Sequence, residues 1–246
     1  CYLFLFTTVD NQYELKSLLY LISNVSNNHY QTPSFVGKIE RLLQYLNEDI
    51  KKNFSNLKIF DIFHQNKLIL LILIDQKIMT FDQSILKRIS SEKYFKQSYH
   101  HFFFPEIHPL IKNSQINVQN CESRSIENVY EEYDNSNNYE DNFIDDNDTI
   151  ENFDFYQSEN FINFVKEFSN KLPDNFFKQR KIGQNENFIC KLIREDLIDE
   201  FITYVNQHDY SLNSNVDQSI YETNSFLIKN NPTLIEYEAF FGSFQI

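Results

Sequence analysis

The sequence predicts an all-α protein assembled from short helix pairs, and three observations carry that prediction. Apolar residues fall at 188, 189, 192 and 193 and again at 197, 198, 201, 202 and 205, two stripes at helical spacing separated only by Glu195 and Asp196. Aspartate tolerates the left-handed backbone that a helix end often needs, so a two-residue reversal there folds the second helix back on the first. The same arrangement recurs upstream: shifted by 130 residues, Ile62, Phe63, Asn66, Leu68, Leu71 and Ile72 overlie Leu192, Ile193, Asp196, Ile198, Phe201 and Ile202, as in a divergent helix-pair repeat. Finally, 3 glycines and 5 prolines in 246 residues are too few for a turn-dense β-sandwich or barrel.

Taken in order, residues 11–23 form a first helix with Tyr13, Leu15, Leu18, Leu19 and Ile22 on its apolar side. Thr32 as N-cap and Pro33 at the first helical position open a second, in which Phe35, Ile39, Leu42, Leu43, Leu46 and Ile50 share one face. Residues 57–74 make the upstream helix pair, turning at Gln65 and Asn66. The run from Leu68 to Ile74 has no visible period, so a buried strand is its rival reading. A helix over 82–89 buries Ile85, Leu86 and Ile89. The aromatic, proline-bounded stretch 99–109 is expected to close the layer irregularly. Residues 113–157 are acidic and asparagine-rich and are expected to be a disordered linker. A helix with Phe161, Ile162, Phe164, Val165 and Phe168 on its face then ends before Pro173, and 175–180 feed the terminal units. The expected division is an N-terminal helical domain at 1–112, the linker at 113–157 and a helical repeat region at 158–246.

Charge narrows the partners. Residues 122–154 hold 12 acidic residues against Arg124, a net −11 of the chain's −13, which leaves −2 for everything else. No basic face exists to neutralise phosphates, so neither nucleic acid nor an anionic membrane is expected to bind. Cys1, Cys121 and Cys190 form no disulfide framework and suit a reducing, intracellular and specifically cytoplasmic setting. The apolar opening, Cys1 to Phe6, lacks the basic stretch and the length of a secretory signal. Without a starting methionine, and stopping inside a unit, the chain is expected to be a piece of a longer protein.

Asp134 to Tyr139 begins like a calcium loop, but Tyr139 stands where glycine is needed and Asp145 where a bidentate glutamate is needed. His100, His101 and His108 are close in sequence without a spacing that fixes two ligands on one face. Cys190, between Ile189 and Leu192 on an amphipathic helix, has the surroundings of a core residue rather than of a nucleophile. Gly183 and Gly242 stand alone, so no phosphate-cradling loop is present. No catalytic residue, cofactor, metal ligand or small-molecule substrate is expected.

The run from Pro232 to Ile246 resembles the first two-thirds of an ankyrin repeat, T-P-L-H-x-A-A-x-x-G-H-x-x-I, with Thr233, Ile235, Ala239, Gly242 and Ile246 in register. Leu234, Glu236, Glu238 and Ser243 depart from it, although Thr233 and Glu236 make a capping box. More widely, residues 181–186 and 221–229, and upstream Asn28 to Pro33, Ile59 to Phe63 and Phe104 to Ile107, look like an ankyrin-repeat-associated domain of unknown function found in large protist families. The resemblance implies an N-terminal helical domain leading into an ankyrin-like α-solenoid, with no activity attached. The function expected is therefore non-catalytic protein–protein binding. Its rivals are a metal-dependent enzyme or regulator built on His100, His101 and His108, and a role for the acidic tract itself as an interaction segment.

Overall fold

The computed structural model describes residues 12–28, 33–91, 96–121, 165, 166, 168 and 172–242. Every regular element among them is helical. The first helix, α1 (Gln12–Asn28), is longer than its apolar stripe predicts. Its last turns carry Ser23 and Ser26, both buried. The Ser23 hydroxyl donates to the Ile62 carbonyl at 2.7 Å and the Ser26 hydroxyl to that of Ser23 at 2.7 Å, so a polar helix end packs without orphaned groups. The second apolar run is divided into α2 (Pro33–Tyr45) and α3 (Asn47–Asn53), with Leu46 between them. The backbone ladder continues across the break, and Ile39, Leu43, Leu46 and Ile50 still bury one face. Thr32, the expected cap, lies outside the described residues.

The upstream pair is α4 (Asn56–Phe63) and α5 (Lys67–Asp75). The strand alternative for residues 68–74 is overturned. The Asn66 side chain accepts from the amides of Leu68 and Ile69 and starts a helix, and Ile69, Leu70, Leu71 and Leu73 are all buried. A helix apolar all round belongs inside, which is why the run shows no period. Asp82 caps α6 (Gln83–Ser91) by accepting from the amides of Ser84 and Ile85, both at 3.0 Å.

Residues 99–109 are not irregular. They belong to α7 (Lys96–Phe102) and α8 (Phe104–Cys121), joined at Phe103. Pro105 lies in the first turn of α8, where its missing N–H would have had no partner anyway, and a single interior Pro109 does not end the helix. The helix α8 runs into the acidic region as far as Cys121, past the expected linker start at 113. The remaining acidic tract, the calcium-like stretch and most of the helix expected after 158 lie outside the described residues.

Helices α1 to α8 enclose one core, in which Phe60, Phe81, Tyr99 and Phe103 meet at ring distances of 4.9–6.2 Å. A second, smaller core unites α10 (Phe188–Arg194), α11 (Ile198–Gln207), α12 (Ser225–Asn230) and α13 (Leu234–Phe241). Asp196 adopts φ 54° at the α10–α11 reversal, the left-handed turn its residue type predicts. The capping box at Thr233 is formed on both sides, and Gly242 ends α13 at φ 66°. The stretches on either side of α12 pair as extended chain: the amides of Val216 and Leu234 donate to the carbonyls of Pro232 and Ser214 at 2.8 and 3.0 Å. Among the described residues no helix is long and apolar enough to cross a membrane.

Candidate functional site

The two cores meet along a seam of buried polar groups. From the first side comes α5, whose first residue, Lys67, is only 1% exposed. Its ammonium donates to the Ser98 hydroxyl at 2.7 Å and to the Ile220 carbonyl at 3.3 Å, and lies 4.8 Å from the centre of the Phe102 ring. From the other side comes Glu222, likewise buried. One of its carboxylate oxygens accepts from the amides of Thr223 and Asn224, both at 2.9 Å, while Oε2 is buried with no hydrogen-bond partner. Arg194 of α10 donates to the Tyr237 hydroxyl of α13 at 2.7 Å, and its charge acts on Glu222.

Two asparagines stitch the seam symmetrically. Asn66 and Asn224 form an antiparallel bridge, each caps the helix that follows it, and their amide groups donate to the carbonyls of Ser26 and Asn27 near the end of α1. A third connection is α9 (Phe176–Ile182), which delivers Arg180, 2% exposed, to Glu106 of α8, where a single guanidinium nitrogen, Nη2, donates to both carboxylate oxygens at 2.9 Å. The guanidinium lies against the rings of Phe102, Phe103 and Phe176 at 5.2–5.8 Å. Gly183 ends α9 at φ 69°, and a Cβ there would stand 3.2–3.3 Å from Thr223 and Leu68, so glycine is needed twice over.

Burial governs the electrostatics. Desolvation lowers the Lys67 ammonium to about 7, against the pull of Glu222. Desolvation raises Glu222, against the amides of Asn224 and Thr223 and the charges of Lys67 and Arg194. Tyr237 is raised by burial, and Cys190 is pushed up to about 12 by the same cause. A buried lysine near neutrality is the usual preparation for amine chemistry. Lys67 is not among the residues that line the cavity beside Glu222, which is bounded also by Ser98, Asn185 and Tyr237 and measures about 40 Å³, room for a water or two. The arrangement does well what a seam must do, holding two cores in one register through groups that lose their partners if either core moves.

The residues singled out in the sequence fall elsewhere. His100 is buried in α7, His101 meets the Phe168 ring edge-on at 5.3 Å, and His108 stacks on Phe104 at 4.9 Å. Among the described residues no three His, Cys, Asp or Glu side chains are grouped to hold a metal ion. Cys190 is a buried free thiol within the second core. Lys67, Arg180 and Arg194 were not singled out by the sequence reasoning. One signal was present, since Lys67 opens a helix that is otherwise apolar as far as Asp75, at the positive end of its dipole, where a cation needs a nearby carboxylate. No protein-family model, curated protein or solved structure matches this chain.

Proposed function

We propose that this chain is a non-catalytic protein-binding scaffold of the ankyrin type, acting in the cytoplasm with no cofactor. The observation that carries the reading is the placing of α13 on α10: Leu234 and Tyr237 of one helix share a core with Cys190, Leu192 and Ile193 of the other. Between them the chain passes through α11 and an extended pairing of residues 212–216 with 232–235, with α12 in the stretch that separates the two paired segments. A helix pair, an extended crossing and a second first-helix are the succession in which ankyrin-type units are stacked, and α12 is an added helix within that crossing. In such a stack the shared core fixes the shape, while the exposed side chains remain free to suit a partner. The pattern resemblance at Thr233, Ala239 and Gly242 supports the same reading.

Affinity capture with the whole chain tests it, run beside a version lacking residues 122–154. The scaffold reading expects both to retain the same protein partners. Loss of every partner with the acidic deletion would transfer the function to the acidic tract, and stoichiometric zinc or iron in the purified protein would favour the metal-dependent alternative.

A further inference from the structure

The outer side of the α10–α11 pair carries a groove of about 400 Å³, apart from the seam and reaching the second core only at Tyr204. At one end stand Phe188 and Tyr204, their rings 5.2 Å apart and inclined at 63°, so that they form an open corner. Phe188 is 53% exposed, an uncovered apolar ring at the start of α10. His208 stacks on Tyr204 at 4.1 Å and its ring nitrogen bonds the Tyr204 carbonyl, which holds the corner in place. Along the same groove lie Asp199 and Glu200, with Glu200 one helical turn before Tyr204. Among the described residues neither carboxylate has an ion-pair partner, whereas Glu195 nearby is matched with Lys191.

We propose that this groove receives a lysine or arginine side chain of a protein partner. Its alkyl stem would lie in the corner of Phe188 and Tyr204, and its charge would face those two ring systems and Glu200, with Asp199 behind. The proposal rests on the scaffold reading and names the chemistry of the partner. Three properties select a cation over other occupants. The exposed Phe188 ring, held edge-to-face against a Tyr204 that His208 backs, offers an electron-rich face that attracts an ammonium or guanidinium. The two unmatched carboxylates add charge of the right sign. The chain's own acidic tract, with 12 acids against one arginine, is repelled from the same place.

The test uses the full chain and short, neutral-flanked peptides carrying one lysine, one arginine or one norleucine, followed by NMR of the aromatic and Thr203 resonances. A single charge keeps attraction to the acidic tract weak. The lysine and arginine peptides are expected to shift Phe188, Tyr204 and Thr203 while norleucine does not. Phe188→Ala, and the pair Asp199→Asn with Glu200→Gln, are expected to weaken binding by about two- to thirty-fold each. All three positions are exposed, so an unchanged circular dichroism spectrum accompanies the loss. Equal binding of norleucine, shifts confined to other residues, or full affinity in both variants would overturn the proposal. If the chain captures protein partners that these variants also capture, the groove falls and the scaffold stands. If lysine peptides bind the groove but no protein is captured, the reverse holds.

Discussion

The two helix pairs, α4–α5 and α10–α11, follow one apolar pattern and occupy opposite kinds of place. In register, Ile59, Phe60, Ile62 and Phe63 of α4 match Ile189, Cys190, Leu192 and Ile193 of α10, and all eight are buried. The first helices are therefore equivalent in what they cover. The second helices are not. Ile69, Leu70 and Leu73 of α5, all buried, stand where α11 has Asp199, Glu200 and Thr203, all exposed, and only the positions of Leu71 and Phe201 are buried in both. Three side chains thus separate a helix enclosed by its neighbours from one with a face on water. The turn differs in the same sense. Asn66 is buried and tied to α1 and Asn224, whereas Asp196 is exposed.

The largest difference to break is at the residue after the turn, Lys67 in one pair and Leu197 in the other. Glu222→Ala leaves the amides of Thr223 and Asn224 without their acceptor and removes the charge that favours the Lys67 ammonium. The expected loss is about 2–5 kcal/mol by urea denaturation, the cost of two buried donors left unsatisfied. A loss below about 1 kcal/mol, the range of exposed pairs, would mean that the seam is wet. The pH dependence has a definite sign. With its folded value lowered from 10.5 to about 7, Lys67 has shed its proton in the native state while the unfolded chain still holds it. The unfolded state then binds more protons, so the Lys67 contribution to stability rises with pH between about 7 and 10.5. Glu222, raised by burial, acts oppositely: its contribution falls as pH climbs from 4.5 towards its raised value. The stability of the natural protein relative to Lys67→Met should therefore grow from pH 7 to 10, and a flat difference would contradict the burial of Lys67.

Next in size is the contrast between enclosed and edge positions. Leu70→Ala should cost about 2–5 kcal/mol, since its side chain is fully enclosed. Glu200→Ala, at the matching position of α11, should change stability by no more than about 0.5 kcal/mol. Urea midpoints for the two variants measure both, and similar losses would refute the assignment of α11 to an edge.

Much of this contrast was legible beforehand. Acidic residues at 199 and 200 beside apolar ones at 197, 198, 201 and 202 announce an amphipathic helix, and the Thr233–Glu236 box and the Asp196 reversal follow from local chemistry alone. What stayed hidden is non-local. Periodicity tells which face of α5 or α10 is apolar but not which faces meet, so nothing in the sequence near Lys67 names Glu222, and nothing near Glu106 names Arg180. The helical state of residues 99–109 is hidden for another reason. Two prolines and a run of aromatics have the character of breakers, yet one proline falls in a first turn and the aromatics find a core around Phe60 and Phe81.

The caps sharpen the comparison further. Asn66→Ala removes the acceptor for the Leu68 and Ile69 amides and the bond to the Ser26 carbonyl, and about 1–2 kcal/mol should be lost. Differential scanning calorimetry resolves a change of that size as several degrees in Tm.

The smallest effect should have the opposite sign. Asp196 holds φ 54° in the open, where a side chain other than glycine's is strained, and its carboxylate pushes the neighbouring Glu238 upward by like-charge repulsion, second to desolvation. Asp196→Gly relieves the backbone and removes the repulsion, but it also loosens the unfolded chain, which offsets part of the gain. A net stabilisation of about 0.5 kcal/mol is expected. The matching change at Asn66, which sits at φ −133° and caps a helix, should destabilise instead. Equal signs at the two turns would mean that the pairs reverse by the same backbone after all. Opposite signs would tie the difference between a seam turn and a surface turn to one dihedral angle.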